Sequence, residues 1–392
     1  VRDVDIVGAG ITPFGKHPGA TMSSLAATAI GAALADVGLP ASDVDLLVHG
    51  NAMAGVLSGQ EMIRGELVAN AAGLAGVPAV NVENACATSS SALHVALTAI
   101  RSGMYDTAVV CGSEKMTGRP TAEILAAMTS GADLGEITRE LTGSDPPTAS
   151  FFMDVYARIA RDYQARSGAS AGDFADVAAK NSAHGALNPK AQYQRALTRS
   201  EVLASRVVAP PMTMLMCSPI ADGAAALVLR AADRVSSSDG VVRIRACALG
   251  SGRPGGSGMP LEQRTAAAAY AQAGLGPGDL DVVEVHDAAS PNELIMYEEL
   301  GLCGPGEGPK LLASGAAALG GRVPVNPDGG LVSRGHPVGA TGCAQLVELV
   351  TQLRGHAGAR QVPQARIGLA ENAGGYLHPD AAACVVTILS RG

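Results

Sequence analysis

The sequence predicts a duplicated α/β fold with one insertion. Three observations predict it. Short strand-like runs alternate with Ala-rich helical stretches, the same ordered set of segments occurs twice, and the spacing within the two sets differs.

The strand-like runs are DIVGAG, LLVHG, TAVVCGS, VVEVHDA and ACVVTI. They alternate with helical stretches such as 23–37 and 91–102. This alternation predicts parallel strands joined by crossover helices. The repeat is visible in three pairs of segments. VGLPASDVDLLVH at 37–49 matches AGLGPGDLDVVEVH at 273–286. ATSSSAL at 87–93 matches ATGCAQL at 340–346, and DGAAALVL at 222–229 matches DAAACVVTI at 380–388. Each copy reads as a helix ended by Gly, a D-x-D turn, a strand, a second helix and a final strand. Two packed copies would bury helices between their sheets, and 49 Gly suit such close approach.

The spacing locates the insertion. Ala87 and Asp222 are 135 residues apart, but Ala340 and Asp380 are 40 apart, so the first copy carries 95 extra residues. They fall roughly between Gly112 and Met216, with helices expected at 151–166 and 171–184. A lobe at this point would sit over the strand ends, where α/β folds bind ligands.

Composition narrows the function. Apolar residues make up 47% of 392, but no run is long enough for a membrane span. No basic-then-apolar leader opens the chain, so no secretion signal is expected. Seven Cys lie without C-x-x-C pairs. The odd count disfavours a disulfide framework or a zinc site and fits a reducing cytosol, so a cytoplasmic location is expected. A formal charge of −8 without a basic run disfavours nucleic acid. Neither a metal nor a bound cofactor is expected.

Candidate chemistry centres on three residues. Cys86 stands between a β-prone segment and a helix whose first residues are small. A thiol at a helix N-terminus gains thiolate character. His336 lies in the Gly-rich GGLVSRGHPVGATG, three residues before the repeat position that matches Cys86. A pseudo-twofold would bring the two loops together and let His336 take the thiol proton. His286 ends a strand in VVEVHDAASPNEL, a suitable place for a site residue. His49, its counterpart in the first copy, borders the same pocket or serves structure. Near the C-terminus ENAGGYLHPD offers Asn372, Gly374 and Gly375, a turn whose N–H groups suit an oxyanion hole.

Together these segments resemble the thiolase superfamily, particularly the sterol-carrier-protein-type thiolases and their thiolase-like relatives. The resemblance runs through NACATSSSAL at 84–93, VHDAASPNELIMYEELGLC at 285–303, GGLVSRGHPVGATGCAQL at 329–346 and ENAGG at 371–375. It implies a thiolase fold, with two duplicated α/β halves in five layers and an inserted loop domain. On that basis residues 1–115 and 217–238 form the first half, 116–216 the loop domain and 239–392 the second half. It further implies that Cys86 accepts the acyl group and His336 is its base. His286 then helps form one oxyanion hole, and the N–H groups of Cys86 and Gly374 form the other. CoA thioesters are the implied substrates. A homodimer or homotetramer, with a possible small OB-fold partner subunit, is the implied assembly. Two positions depart from the pattern. Asn372 stands where typical thiolases carry a second Cys, and Ala288 stands where the sterol-carrier type carries one. An acyltransferase that forms or cleaves a C–C bond, biosynthetic in direction, is therefore expected. A degradative thiolase, a β-hydroxyacyl-CoA aldolase and a non-catalytic CoA-ester-binding subunit are the alternatives.

Overall fold

A computed structural model describes residues 2–135, 137, 148, 150–235, 240–253, 255 and 258–392. Part of the expected insertion, at 136, 138–147 and 149, lies outside the described residues, as do 236–238 of the first half.

The strands are β1 (Val4–Ile11), β2 (Leu46–Gly50), β3 (Ala79–Val82), β4 (Thr107–Glu114), β5 (Val207–Ala209), β6 (Met212–Thr213), β7 (Gly223–Ala231), β8 (Val242–Ser251), β9 (Val282–Glu284), β10 (Ile367–Gly374) and β11 (Ala383–Arg391). β5 and β6 form a small separate ribbon. The other nine run in the order β3-β2-β4-β7-β1-β8-β11-β10-β9. The duplication is explicit in this order. β2-β4-β7-β1 on one side corresponds to β9-β10-β11-β8 on the other. The halves join through β1 and β8, which pair at only two positions, Asp5 with Arg243 and Ile6 with Val242.

The strands are mixed rather than parallel, which corrects one expectation. β2 runs parallel to β3 and β4, and β9 to β10. β7 is antiparallel to β1 and β4, and β11 to β8 and β10. The reason lies in the connections. β10 returns directly into β11, and a direct return makes an antiparallel pair. In the first half the matching return, from β4 to β7, carries the inserted segment. That segment holds helices Phe151–Ser167 and Ala171–Gly185, close to their predicted spans.

Packing produces the five layers. Helices Met22–Val37 and Arg64–Ala71 cover one face of the first-half strands. Helices Thr88–Arg101 and Thr341–Leu353 form the middle layer and touch strands of both halves. Helices Leu261–Ala273 and Ser290–Glu299, with the two inserted helices, cover the outer face of the second half. Local sequence explains the helix ends. A Thr21–Ser24 capping box opens the first helix, and Gly38 at φ 67° closes it. Glycine sets the approach of the middle helices. A Cβ at Gly342 would lie 2.6 Å from Ser90 N, and one at Gly112 would lie 2.4 Å from Gly339 O. The hydroxyl of Ser89 accepts the Cys343 N–H at 2.9 Å, linking the two helix starts. Among the described residues no helix is long and apolar enough to cross a membrane.

Candidate active site

Each middle helix opens with a one-turn 3-10 segment, Ala85–Ala87 in the first half and Val338–Ala340 in the second. Cys86 is the central residue of the first segment. Its turn is sharp, with Ala85 at φ 49°, a left-handed conformation uncommon outside glycine. Local bonds hold it there. Thr88 Oγ1 donates to Ala85 O at 2.6 Å and accepts the Asn84 N–H at 2.9 Å.

His336 enters from the other half. Its Nδ1 lies 2.7 Å from Thr341 Oγ1, whose proton goes to Pro337 O. The hydroxyl therefore accepts from Nδ1–H, and the free lone pair of His336 is on Nε2. His286 follows β9. Its backbone N–H donates to Glu371 Oε2 at 2.9 Å, and its carbonyl accepts from Asn292 Nδ2 at 2.7 Å. Its Nδ1 accepts from Asn372 Nδ2 at 3.2 Å, so its proton is on Nε2. Ser90 Oγ lies 2.7 Å from Asn372 Oδ1 and 2.9 Å from Ala87 O. With Thr341 accepting and Asn372 donating, the two imidazoles take opposite tautomers, an acceptor at Nε2 of His336 and a donor at Nε2 of His286.

Ligand-capable atoms of Cys86, His286 and His336 all lie within 4.8 Å of one another. The histidine rings meet edge to face, with centroids 5.2 Å apart. The expected convergence of the two loops is therefore present. Burial pushes His286 down to about 3, with Arg334 adding to it. Burial, His286 and Arg334 push His336 well below its ordinary range. Both rings are neutral at pH 7.

Two expectations need correction. Burial pushes the Cys86 thiol up to about 12, and the Gly375 N–H and its own N–H only partly oppose this. The resting group is a thiol, because desolvation outweighs the helix terminus. The Gly375 amide is aimed at the Cys86 sulfur. Gly374 lies against the nucleophile's turn, since a Cβ there would lie 2.4 Å from Ala87 N and 2.6 Å from Cys86 N. Second, His49 is outside the site. It is buried in β2, with Nε2 2.9 Å from Ser113 Oγ, and does not line the cavity. The pseudo-twofold counterpart of His286 has become a packing residue.

A cavity of about 540 Å³ opens over the three residues. Met53, Met128, Phe152, Met153, Ile159 and Met296 make much of its apolar wall. Ala288 also lines it, so a thiol at that position would face the substrate. Glu114 was not singled out from the sequence. Its carboxylate accepts from Asn51 Nδ2, Ala52 N and Met53 N, and from Gly339 N at 3.0 Å. It therefore ties the end of β4 to the loop that carries His336. Burial pushes it up to about 7 against those donors. A lone Glu at a strand end carries no motif that would have marked it.

Comparison with known proteins agrees with this geometry. The thiolase N-terminal domain family matches residues 4–233, and the thiolase C-terminal domain-like family matches 260–391. The chain is 38% identical to acetyl-CoA acetyltransferase of Methanothermobacter thermautotrophicus, over 96% of this chain and 97% of that protein. It is 36% identical to sterol carrier protein 2 of Bos taurus, over 99% of this chain and 72% of that protein. It is 35% identical to the benzoylsuccinyl-CoA thiolase subunit BbsB of Thauera aromatica, over 95% of each. Among solved structures, the Ltp2-ChsH2(DUF35) aldolase superposes with a TM-score of 0.82 at 27% identity, over 98% of this chain and 97% of that one. Human mitochondrial 3-ketoacyl-CoA thiolase in complex with CoA shares the fold, with a TM-score of 0.73 at 17% identity over 100% and 98%. With both halves matched by its domain families, the chain belongs to the thiolase family of acyltransferases.

Proposed function

We propose that this chain transfers an acyl group from a CoA thioester through a thioester on Cys86, and in doing so makes or breaks a C–C bond. The observation that carries the reading is the meeting of two buried imidazoles with one thiol, their Nδ1 atoms turned to Thr341 and Asn372. His336 Nε2 takes the Cys86 proton as sulfur attacks the thioester carbonyl. His286 Nε2–H donates to the oxyanion of the tetrahedral intermediate. The intermediate then collapses, and CoA leaves with the proton returned from His336.

Asn372 and Ala288 replace the two usual acid/base thiols, and neither side chain accepts a proton from an acetyl-CoA methyl. The acceptor is therefore activated in another way, by loss of CO₂ or by an electron-rich ring. This favours a biosynthetic direction over degradative thiolysis. A second reading, cleavage of a β-hydroxyacyl-CoA without an acyl-enzyme, draws on the likeness to an aldolase. The name of that aldolase joins two components, and we extend the same arrangement here as a small, non-identical partner subunit. A homodimer through the β3 edge is supported by exposed apolar side chains there, Val80 at 39%, Met62 at 76% and Ile63 at 57%.

Intact-mass analysis after incubation with a panel of acyl-CoAs tests the main reading. A mass gain that disappears in Cys86→Ala supports transfer. Cleavage of a β-hydroxyacyl-CoA without a mass gain replaces transfer with the aldolase reading. Neither result, with thioesters still bound, leaves only a CoA-ester-binding subunit.

A further inference from the structure

The inserted lobe grips the segment that carries His336. A short helix, Gly330–Arg334, leads directly into that histidine. The amides of Tyr193 and Gln192, both in the insertion, donate to Ser333 O at 3.1 Å and Arg334 O at 3.0 Å. Ser333 Oγ returns a bond to Tyr193 O at 2.9 Å. Glycine lets the elements close up. A Cβ at Gly185, the last residue of inserted helix Ala171–Gly185, would collide with Ser333 Oγ. One at Gly329 would lie 2.7 Å from Gly185 Cα.

On its other side this short helix meets Asp287, the residue after His286. Asp287 Oδ1 accepts the Leu331 N–H at 2.7 Å, an amide with no partner inside the helix. The contact is close, since a Cβ at Gly330 would lie 2.5 Å from Asp287 Oδ2. That oxygen accepts from Asn181 Nδ2, in the inserted helix, at 2.8 Å. The same Nδ2 donates to Glu293 Oε2 at 2.7 Å, and Lys180 Nζ sits 2.8 Å from Glu293 Oε1. Asn181, Asp287 and Glu293 are fully buried. Among the described residues Asn181 Oδ1 has no partner, so the two carboxyl groups alone orient the amide. None of the three lines the cavity, so any effect on the chemistry passes through the histidines. Directional bonds of this kind fix one register, where apolar packing alone is less specific.

Resting on the acyl-transfer reading above, we propose that Asn181 and Asp287 are positioning residues through which the inserted lobe sets the placement of His336 against His286. The backbone of His286 is held by Glu371 at its N–H and Asn292 at its carbonyl. Asp287 extends that fixed point to Leu331, five residues before His336. The rings then keep the 5.2 Å centroid spacing at which both stand beside Cys86. Without the Asn181 bond the Asp287 carboxyl group is free to turn, and the His336 segment loses its stop.

The test combines three measurements on Asn181→Ala, Asp287→Ala and Asp287→Asn. They are rapid-quench acylation of Cys86 by acetyl-CoA and octanoyl-CoA, iodoacetamide labelling of Cys86 at pH 7, and calorimetric binding of the same esters with Cys86→Ala added. Ile30→Val and Ile30→Ala, in the first-half core away from the site, are graded controls for lost stability. Misplacement by about an ångström costs on the order of 10²-fold in rate. Asp287→Ala should slow acylation by about that factor and Asn181→Ala by roughly tenfold, with ester affinity unchanged. Labelling should slow in both. Asp287→Asn keeps an acceptor for the Leu331 N–H and should recover most of the loss. The Ile30 variants should melt lower yet acylate and label like the parent. Alanine variants that match the parent overturn the inference. So does a loss shared by the Ile30 variants, a loss that weaker ester binding accounts for, or an Asp287→Asn as slow as Asp287→Ala. Should Asp287→Ala fail to fold, Asn181→Ala, which leaves the Leu331 bond in place, decides by the same readouts. If the parent takes no acyl group, the acyl-transfer reading fails. Slower labelling in the alanine variants then still supports positioning, and unchanged labelling overturns it.

Discussion

Asn372 Nδ2 lies 3.2 Å from His286 Nδ1, so the amide sets the tautomer of a buried histidine. Asn372→Asp keeps the size but replaces the amide donor with an acceptor. Nδ1 would then hold the proton, and Nε2 would lose its role as oxyanion donor. Acylation of Cys86 should slow by about 10²–10³-fold, the usual cost of losing one such donor. Asn372→Ala, which leaves Nδ1 free to be either donor or acceptor, should slow it less. Rapid-quench acylation measures both. An Asp variant as fast as the parent would remove His286 from the oxyanion site.

A resting thiol has a recognisable pH signature. With Cys86 pushed up to about 12, the thiolate fraction climbs through the whole neutral and alkaline range. Iodoacetamide labelling should therefore keep accelerating from about pH 7 to pH 10, with no plateau. His336→Ala should slow labelling at pH 7 by removing the base. A plateau below about pH 8 would instead indicate a preformed thiolate–imidazolium pair.

Ala288 offers a direct test of the missing acid/base group. It is 4% exposed, and it lines the cavity. General base catalysis typically contributes about 10²–10⁴-fold. The parent should acylate quickly but thiolyse acetoacetyl-CoA slowly, and Ala288→Cys should raise thiolysis. Parent turnover of about 10 s⁻¹ or more would show that another group already supplies the base.

Gly374→Ala tests the turn beneath the nucleophile. The added methyl would lie 2.6 Å from Cys86 N and 2.4 Å from Ala87 N, both backbone atoms. The turn must shift, and a displacement of about an ångström costs on the order of 10²-fold in rate. Acylation should fall by that amount while circular dichroism stays native. An unchanged acylation rate would show that the turn absorbs the methyl.

Stability should have two pH limbs. Burial holds His49, His184 and His286 down near about 3, against an ordinary 6.5. Between those values the unfolded chain binds more protons, so stability falls as pH drops from about 6.5. Glu114 is pushed up to about 7 and Glu371 to about 8, from an ordinary 4.5. Between those values the folded chain binds more protons, so stability also falls as pH rises toward 8. These two opposing terms make the melting temperature depend on pH across the range from about 4.5 to 8. A melting temperature flat from about pH 4 to pH 9 would contradict this.

Much of the site was legible because duplication leaves a readable frame. The three-residue offset of His336 from the Cys86 position was enough to foresee their meeting. Strand direction was not legible, since β7 and β11 have the same composition whichever way they run. The exclusion of His49 was partly legible. It is offset by one residue from His286 in the repeat, which favours a structural role, and the Ser113 hydroxyl, 64 residues away, supplies its partner. Gly374 and Gly375 are equivalent letters until the turn decides which amide faces the sulfur. Glu114 shows the opposite limit, a buried carboxylate whose importance lies wholly in backbone amides from distant segments.

The narrow two-residue seam between β1 and β8 bears on the order in which activity arises during synthesis. Cys86 is made early, but its base, its oxyanion donor and the Gly375 amide come from residues 286 to 375. A nascent first half therefore carries its nucleophile without the groups that activate it. On the proposed mechanism, acyl transfer begins only when the second half has folded and docked.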